Sequence, residues 1–284
     1  MIYSFMKTLH FLAVTVCLLF STAFIALAQA PKGHLVIIGG GGMTKSIDKA
    51  LINHSGGPDA KILVISTASG NPEEAAHSFI SRMKKAGAKN LSWIAPTRAQ
   101  ANDPAYVKVL DGVTGIYFTG GQQHRITDTL RNSLLHKKLQ KMYEDGAMIG
   151  GTSAGAAMMT EIMIKGGRVD GDTIGFKTIS PNMVKTLDGM GFLKGAIVDQ
   201  HFLKRARENR LFSIIFEHPE CVGIGIDEAT AIVVSNGKEI EVLGKSSVMV
   251  LEPDPSTIRV DERNNFAGEA RLRIFFEGDR FQLK

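Results

Sequence analysis

The chain has 284 residues, 30 of them glycine, with 44% hydrophobic, 21% charged and 7% aromatic residues; this is ordinary globular usage and excludes a disordered or collagen-like chain. Lys and Arg number 33 against 28 Asp and Glu, a balance of +5 that loss of Lys7 with an N-terminal segment would lower by one. So small an excess does not argue for a nucleic-acid partner, and no run of basic residues interleaved with aromatics is present to track a phosphate backbone.

Lys7 precedes an apolar stretch from Phe11 to Leu27 free of Asp and Glu, which ends in Ala28-Gln29-Ala30, with small residues at the two positions a signal peptidase reads. Residues 1–30 are therefore read as a signal peptide in preference to a retained membrane anchor. Residues 31–284 are read as a single catalytic α/β domain, exported to a periplasm or outside the cell, with no stable membrane insertion after cleavage. Cleavage removes Cys17 and leaves Cys221 alone, so no internal disulfide can form.

His34–Ile38 and Lys61–Ser66 are apolar runs of buried-strand type. Residues 72–86 carry helical spacing in Ala75, Ala76, Phe79, Ile80 and Met83, and residues 114–119 read as a further strand. Residues 123–145 read as one or two helices. Residues 147–151 lead as a strand into Thr152-Ser153-Ala154-Gly155, and then a helix. Short runs at 223–227, 231–234, 240–243, 247–251 and 272–276, with turn signals such as Asn236-Gly237, predict antiparallel hairpins that finish the domain.

Two glycine-rich segments stand out. Gly39–Gly42, followed by Met43, Thr44, Lys45 and Ser46, comes close to a phosphate-binding loop, but Thr44 stands where that pattern needs glycine; a tight turn from strand to helix is the favoured reading, with a nucleotide-binding module as the alternative. Gly151-Thr152-Ser153-Ala154-Gly155 fits a serine on a sharp strand-to-helix turn, with glycines two residues to each side to relieve crowding. The following helix would aim its dipole and free N–H groups at the same spot.

Such a serine needs a base. His54, His77, His136 and His218 lie beside polar helical stretches and read as solvated, and His34 starts a strand. His124 and His201 are better placed, His201 at the end of the apolar run 195–198, where open α/β sheets build their sites. An orienting carboxylate is offered by Asp227 or Glu228; side chains alternate along a strand, so only one can face the site.

Four blocks then carry a resemblance: Phe118–Gln123, Gly151–Ala156, Val198–Phe202 with Arg205, Arg207 and Arg210 behind it, and Gly225–Ile232. Over about residues 34–250 the chain resembles the cyanophycinase and aspartyl dipeptidase family of serine peptidases. The resemblance implies a mostly parallel sheet flanked by helices, similar to the class I glutamine amidotransferases and flavodoxin-like, and a Ser-His-Glu triad of Ser153, His201 and Glu228. Gln123, Asp199, Gln200, Arg205, Arg207 and Arg210 match residues that line the substrate cleft. The implied substrate is β-aspartyl-arginine peptide, hydrolysed through an acyl-enzyme whose oxyanion is met by the N–H groups of Gly121 and Ala154. No metal or cofactor is called for, and a homodimer is implied by analogy alone. A dipeptidase for short aspartyl peptides is the alternative within the family.

Three positions depart from the family pattern: Gln122, where Asp or Asn is expected after the paired glycines, and Ala206 and Asn209, where glycines are common. Gln tolerates a left-handed backbone less well than Asn or Asp, so the loop at Gln122 is expected to differ slightly. Helical spacing cannot aim Arg205, Arg207 and Arg210 at one ligand, so a loop over 202–207 turning into a helix near 208 is expected.

Overall fold

The computed structural model describes residues 30–166 and 177–283; apart from Ala30, the expected signal peptide lies outside the described residues. In chain order the first half contains β1 (His34–Ile38), α1 (Lys45–His54), β2 (Lys61–Ile65), α2 (Pro72–Lys85), β3 (Asn90–Ile94), α3 (Arg98–Ala101), α4 (Pro104–Val107), β4 (Gly115–Phe118), α5 (Gln123–Leu130), α6 (Leu134–Asp145) and β5 (Met148–Thr152). The second half contains α7 (Ala154–Ala157), β6 (Ile162–Ile164), β7 (Thr186–Asp188), β8 (Ala196–Gln200), α8 (Glu208–Glu217), β9 (Val222–Ile226), β10 (Thr230–Ser235), β11 (Glu239–Gly244), β12 (Val248–Pro253), β13 (Arg259–Val260), β14 (Phe266–Ala267), β15 (Ala270–Phe275) and β16 (Arg280–Gln282).

Local chemistry explains the main elements. In α2, Asn71 accepts the Glu74 N–H, Pro72 opens the first turn, and Glu73 and Glu74 stand in the first turn with Arg82, Lys84 and Lys85 in the last, an order that complements the helix dipole. Ala76, Phe79 and Met83 recur at helical spacing and are buried, so this face closes on the sheet; each large apolar side chain so buried contributes roughly 1.5–3 kcal/mol. Thr44 caps α1 by accepting the Ile47 N–H, and Gly146, at φ 126°, ends α6 where a side chain would be strained.

An eight-stranded sheet runs β16-β11-β10-β1-β5-β4-β2-β3. From β1 to β3 every pairing is parallel, and β10, β11 and β16 extend it antiparallel from β1. The architecture is thus the expected α/β one, a large, mostly parallel sheet flanked by helices and finished by antiparallel strands. The C-terminal strands do not all join it: β8, β9, β12 and β15 form a second sheet, in which β8 and β9 are parallel.

Two registers prepare the site. Ile38 pairs with Thr152 across β1 and β5, so the glycine turn and the serine turn leave the main sheet side by side, at the strand ends where α/β folds place ligands. Gln200 pairs with Ile226 across β8 and β9, so His201 and Asp227-Glu228 leave the second sheet together. The chain then crosses back, and Ala231 of β10 pairs with Ile38, which brings both groups over the end of β1.

Some expectations needed correction. β3 carries only half-buried or exposed residues and gave no apolar run to read. The helix after Ser153 is only four residues long, so its macrodipole is slight and its free N–H groups matter more. His136 is not solvated but buried at 5% exposure, its ring held between the Asn132 N–H and the Met190 carbonyl.

Candidate active site

Ser153 sits at φ 52°, ψ −105°, a conformation costly for a side-chain-bearing residue. Its neighbours make the turn possible. A Cβ on Gly151 would lie 2.4 Å from the Gly155 carbonyl oxygen, and one on Gly155 would lie 2.4 Å from that of Phe118. The Ser153 N–H donates to the Ile38 carbonyl at 3.0 Å, and its own carbonyl accepts from Ala156 and Ala157, so the strained residue is held from both sides.

His201 follows β8 directly and is also left-handed, at φ 49°. Its Nδ1 lies 2.6 Å from Glu228 Oε1 and its Nε2 lies 2.9 Å from Ser153 Oγ. An ionised carboxylate can only accept, which places the imidazole proton on Nδ1 and leaves Nε2 free to accept the serine O–H. Burial lowers the pKa of His201 below its ordinary value; the Glu228 hydrogen bond opposes that shift, and the charges of Arg205 and Arg207 add to it. The neutral imidazole, the form a general base needs, is thereby favoured.

The structure separates the two candidate acids. Glu228 faces the imidazole, whereas Asp227 accepts the Lys204 backbone N–H at 2.9 Å and the Ser246 hydroxyl at 2.8 Å, anchoring the turn that follows His201.

Gly121, at φ 139°, crosses so close to Ala68 that a Cβ would lie 2.1 Å from its carbonyl oxygen, while a Cβ on neighbouring Gly120 would lie 3.6 Å from Ser153 Cβ, an ordinary contact distance. No described backbone acceptor takes the N–H of Gly121 or of Ala154. Ala154, directly after the serine, is the first residue of α7, so its N–H has no partner within the helix. Gln123 is buried and donates from Nε2 to the Ile164 carbonyl at 2.8 Å.

The arginines divide. Arg210 is 2% exposed and its Nε and Nη2 both donate to the carboxylate of Asp199, whose side chain is fully covered. Arg207 Nη1 lies 3.5 Å from the same carboxylate, so Asp199 is enclosed by two guanidinium groups, and Asp199 and Arg210 are buried on each other against the expectation that both line a cleft. Arg207 donates to the Gln200 carbonyl and to Gln200 Oε1 at 2.9 Å; burial, then the charge of Arg210, pushes its pKa down to about 10. Arg205 is exposed, and no described side-chain hydrogen bond or ion pair involves it. The expected loop is a single 3-10 turn at Leu203–Arg205 before α8.

The departures from the family pattern have distinct outcomes. Ala206 is left-handed, at φ 45°, ψ 59°, a conformation glycine would adopt without strain. Gln122 is extended, at φ −104°, so the expected left-handed strain is absent; the positive φ falls on Gly121 instead. Asn209 takes the second position of α8. Missing from the sequence reading was the partner of Gly39–Gly42: a Cβ on Gly40 would lie 2.3 Å from His201 Cε1, and one on Gly41 would lie 2.9 Å from Glu228 Cβ. The run of four glycines was the available signal, visible but ambiguous.

Comparison with known proteins gives a consistent result. Residues 35–242 match the model of peptidase family S51. The chain is 34% identical over 264 residues to a cyanophycinase of Geminocystis herdmanii (strain PCC 6308), covering 88% of this chain and 93% of that one. It is 32% identical over 266 residues to a cyanophycinase of Nostoc sp. (strain PCC 7120), covering 90% and 87%. Among solved structures, a peptidase from an acI-B1 Actinobacterium superposes with a TM-score of 0.65 at 20% identity, over 90% of this chain and 98% of that one; that likeness speaks for the fold.

Proposed function

Because the chain belongs to peptidase family S51, and is thus a serine-type peptidase, we propose that it is an exported hydrolase that cleaves β-aspartyl-arginine polymer of the cyanophycin kind to dipeptides. The observation that carries the catalytic part is the continuous relay from Ser153 Oγ through His201 to Glu228, at 2.9 and 2.6 Å. The substrate part draws on the cyanophycinases to which the chain is similar, and the export part on the N-terminal sequence.

In this reading Ser153 Oγ attacks the amide carbonyl carbon while its proton passes to His201 Nε2. The negative oxygen of the tetrahedral intermediate is met by the N–H groups of Gly121 and Ala154. The imidazolium, stabilised by Glu228, returns the proton to the leaving nitrogen as the C–N bond breaks. Water then attacks the ester carbon as His201 takes its proton, and the ester C–O bond breaks with that proton passed to Ser153 Oγ, which releases the acid and restores the free serine and neutral imidazole. Arg205 holds a substrate carboxylate, Gln123, Gln200 and Arg207 shape the adjoining wall, and the Asp199–Arg210 pair fixes that wall from behind.

The test is product analysis on β-aspartyl-arginine polymer beside a panel of short aspartyl dipeptides. Dipeptides accumulating from the polymer support the reading. Cleavage confined to the short peptides would reassign the protein as an aspartyl dipeptidase of the same family.

A further inference from the structure

The three turns that carry Ser153, His201 and Glu228 belong to different strands and two sheets, yet each is tied to one short backbone segment. The carbonyl of Ile38 accepts the Ser153 N–H at 3.0 Å, that of Gly39 accepts the His201 N–H at 2.6 Å, and that of Gly40 accepts the N–H of Ala229, next to Glu228, at 2.9 Å. Ser153, His201 and Ala229 share a further peculiarity, positive φ angles of 52°, 49° and 54°, which side-chain-bearing residues hold only when their surroundings enforce them. Three consecutive carbonyls thus anchor three strained residues. The side faces of the same segment close on the reacting groups. Gly40, at φ 114°, leaves no room for a Cβ against the imidazole, with Cε1, Nε2 and Nδ1 all within 2.8 Å of where it would be, and Gly41 packs on Glu228.

We infer that the end of β1, Ile38–Gly41, is the positioning segment of the active site, and that Gly40 sets the plane of the His201 ring through direct contact. The inference rests on the Ser153-His201-Glu228 reading. It gives the glycine run a role other than binding phosphate: its backbone must pass at van der Waals distance from a ring whose two nitrogens have to meet Oγ and Oε1 simultaneously. A displacement of about 1 Å in such a geometry costs on the order of 100-fold in rate.

The experiment compares Gly40→Ala with Gly87→Ala. Gly87 has a similar φ, 108°, but nothing within 4 Å of its Cβ position, so it reproduces the backbone strain without the contact. Gly40→Ala should lower kcat about 100-fold with KM hardly changed. It should slow labelling of Ser153 by an irreversible serine-directed reagent in parallel, and abolish or shift the far-downfield proton signal of the Nδ1–H shared with Glu228. Gly87→Ala should lose stability alone. Should Gly40→Ala fail to fold, Gly41→Ala, which presses on the more exposed Glu228, is expected to show the same kcat loss. Wild-type kcat and labelling in a folded Gly40→Ala, or in Gly41→Ala if that alone folds, would overturn the inference. Ser153→Ala, assayed alongside, separates the two claims: if it is inactive while the glycine variants are normal, the triad stands and the positioning role falls; if it remains active, the triad reading itself fails.

Discussion

Arg210 and Asp199 lie against each other in the interior, the two guanidinium donors Nε and Nη2 reaching the two carboxylate oxygens, with side-chain exposures of 2% and 0%. The pair ties α8 to β8, one residue before the strand ends and two before His201. Its removal should therefore show first in stability. Breaking a buried pair by deleting one partner strands the other charge and costs about 3–5 kcal/mol. Asp199→Ala, which strands the buried Arg210 and takes the carboxylate from Arg207 as well, is expected to lose that much in denaturant unfolding, and Arg210→Ala, which leaves Arg207 3.5 Å from the carboxylate, somewhat less. If Arg210→Ala were as stable as wild type and only KM rose, Arg210 would be a substrate contact after all.

Arg205 should behave in the opposite way. It is exposed and free of described ion pairs, so Arg205→Lys is expected to leave unfolding unchanged. KM on β-aspartyl-arginine should rise by about ten- to a hundredfold, since an ammonium cannot reproduce a bidentate fork on a carboxylate. Steady-state kinetics beside a denaturation curve decides; an unchanged KM would remove Arg205 from the substrate site.

Glu228 and Asp227 are adjacent but do different work. Glu228→Gln keeps the shape but replaces one acceptor oxygen by an NH2 donor and removes the charge that stabilises the imidazolium, so the imidazole can take the wrong tautomer and kcat should fall by roughly 10³–10⁴. Asp227→Asn disturbs the Lys204 and Ser246 contacts and should cost some stability with a far smaller change in kcat. The reverse ranking would reassign the acid.

The pH dependence follows from burial. His201 is held below its ordinary value, so kcat/KM should rise with pH along a limb whose midpoint lies below 6.5 and level off above it. His34, His54 and His136 are also lowered, chiefly by burial. In each the unfolded state takes up a proton before the folded state does, so stability is full above the unfolded value and declines as pH falls through about 6.5 towards the lowered folded values. Melting temperature should therefore drop between about pH 7.5 and 6. A flat melting curve and a limb above 7 would contradict both statements.

Much of this architecture is legible in the residues. The apolar runs at 34–38 and 61–65, the Ala76-Phe79-Met83 face and the small residues around Ser153 each announce an element through its burial pattern. β3 escaped because an edge strand with mostly half-exposed side chains has little apolar signal to give. The split of the C-terminal strands into two sheets escaped because alternation shows which face is buried and not which neighbour it pairs with. His136 escaped because its polar flanks conceal a ring satisfied by two backbone groups. In the site, side-chain chemistry pointed to Ser153 and His201, and alternation narrowed the acid to one of two. The anchoring by Ile38, Gly39 and Gly40 is backbone chemistry, to which a sequence contributes only the glycines that make room for it.

Nucleophilic catalysis by Ser153 is decided by mass spectrometry of products from β-aspartyl-arginine polymer with the wild-type protein and Ser153→Ala at equal concentration. The wild type should release dipeptides, and the variant, with its fold intact, should lose about 10⁴-fold or more of that activity. Dipeptide release at a wild-type rate by Ser153→Ala would contradict it.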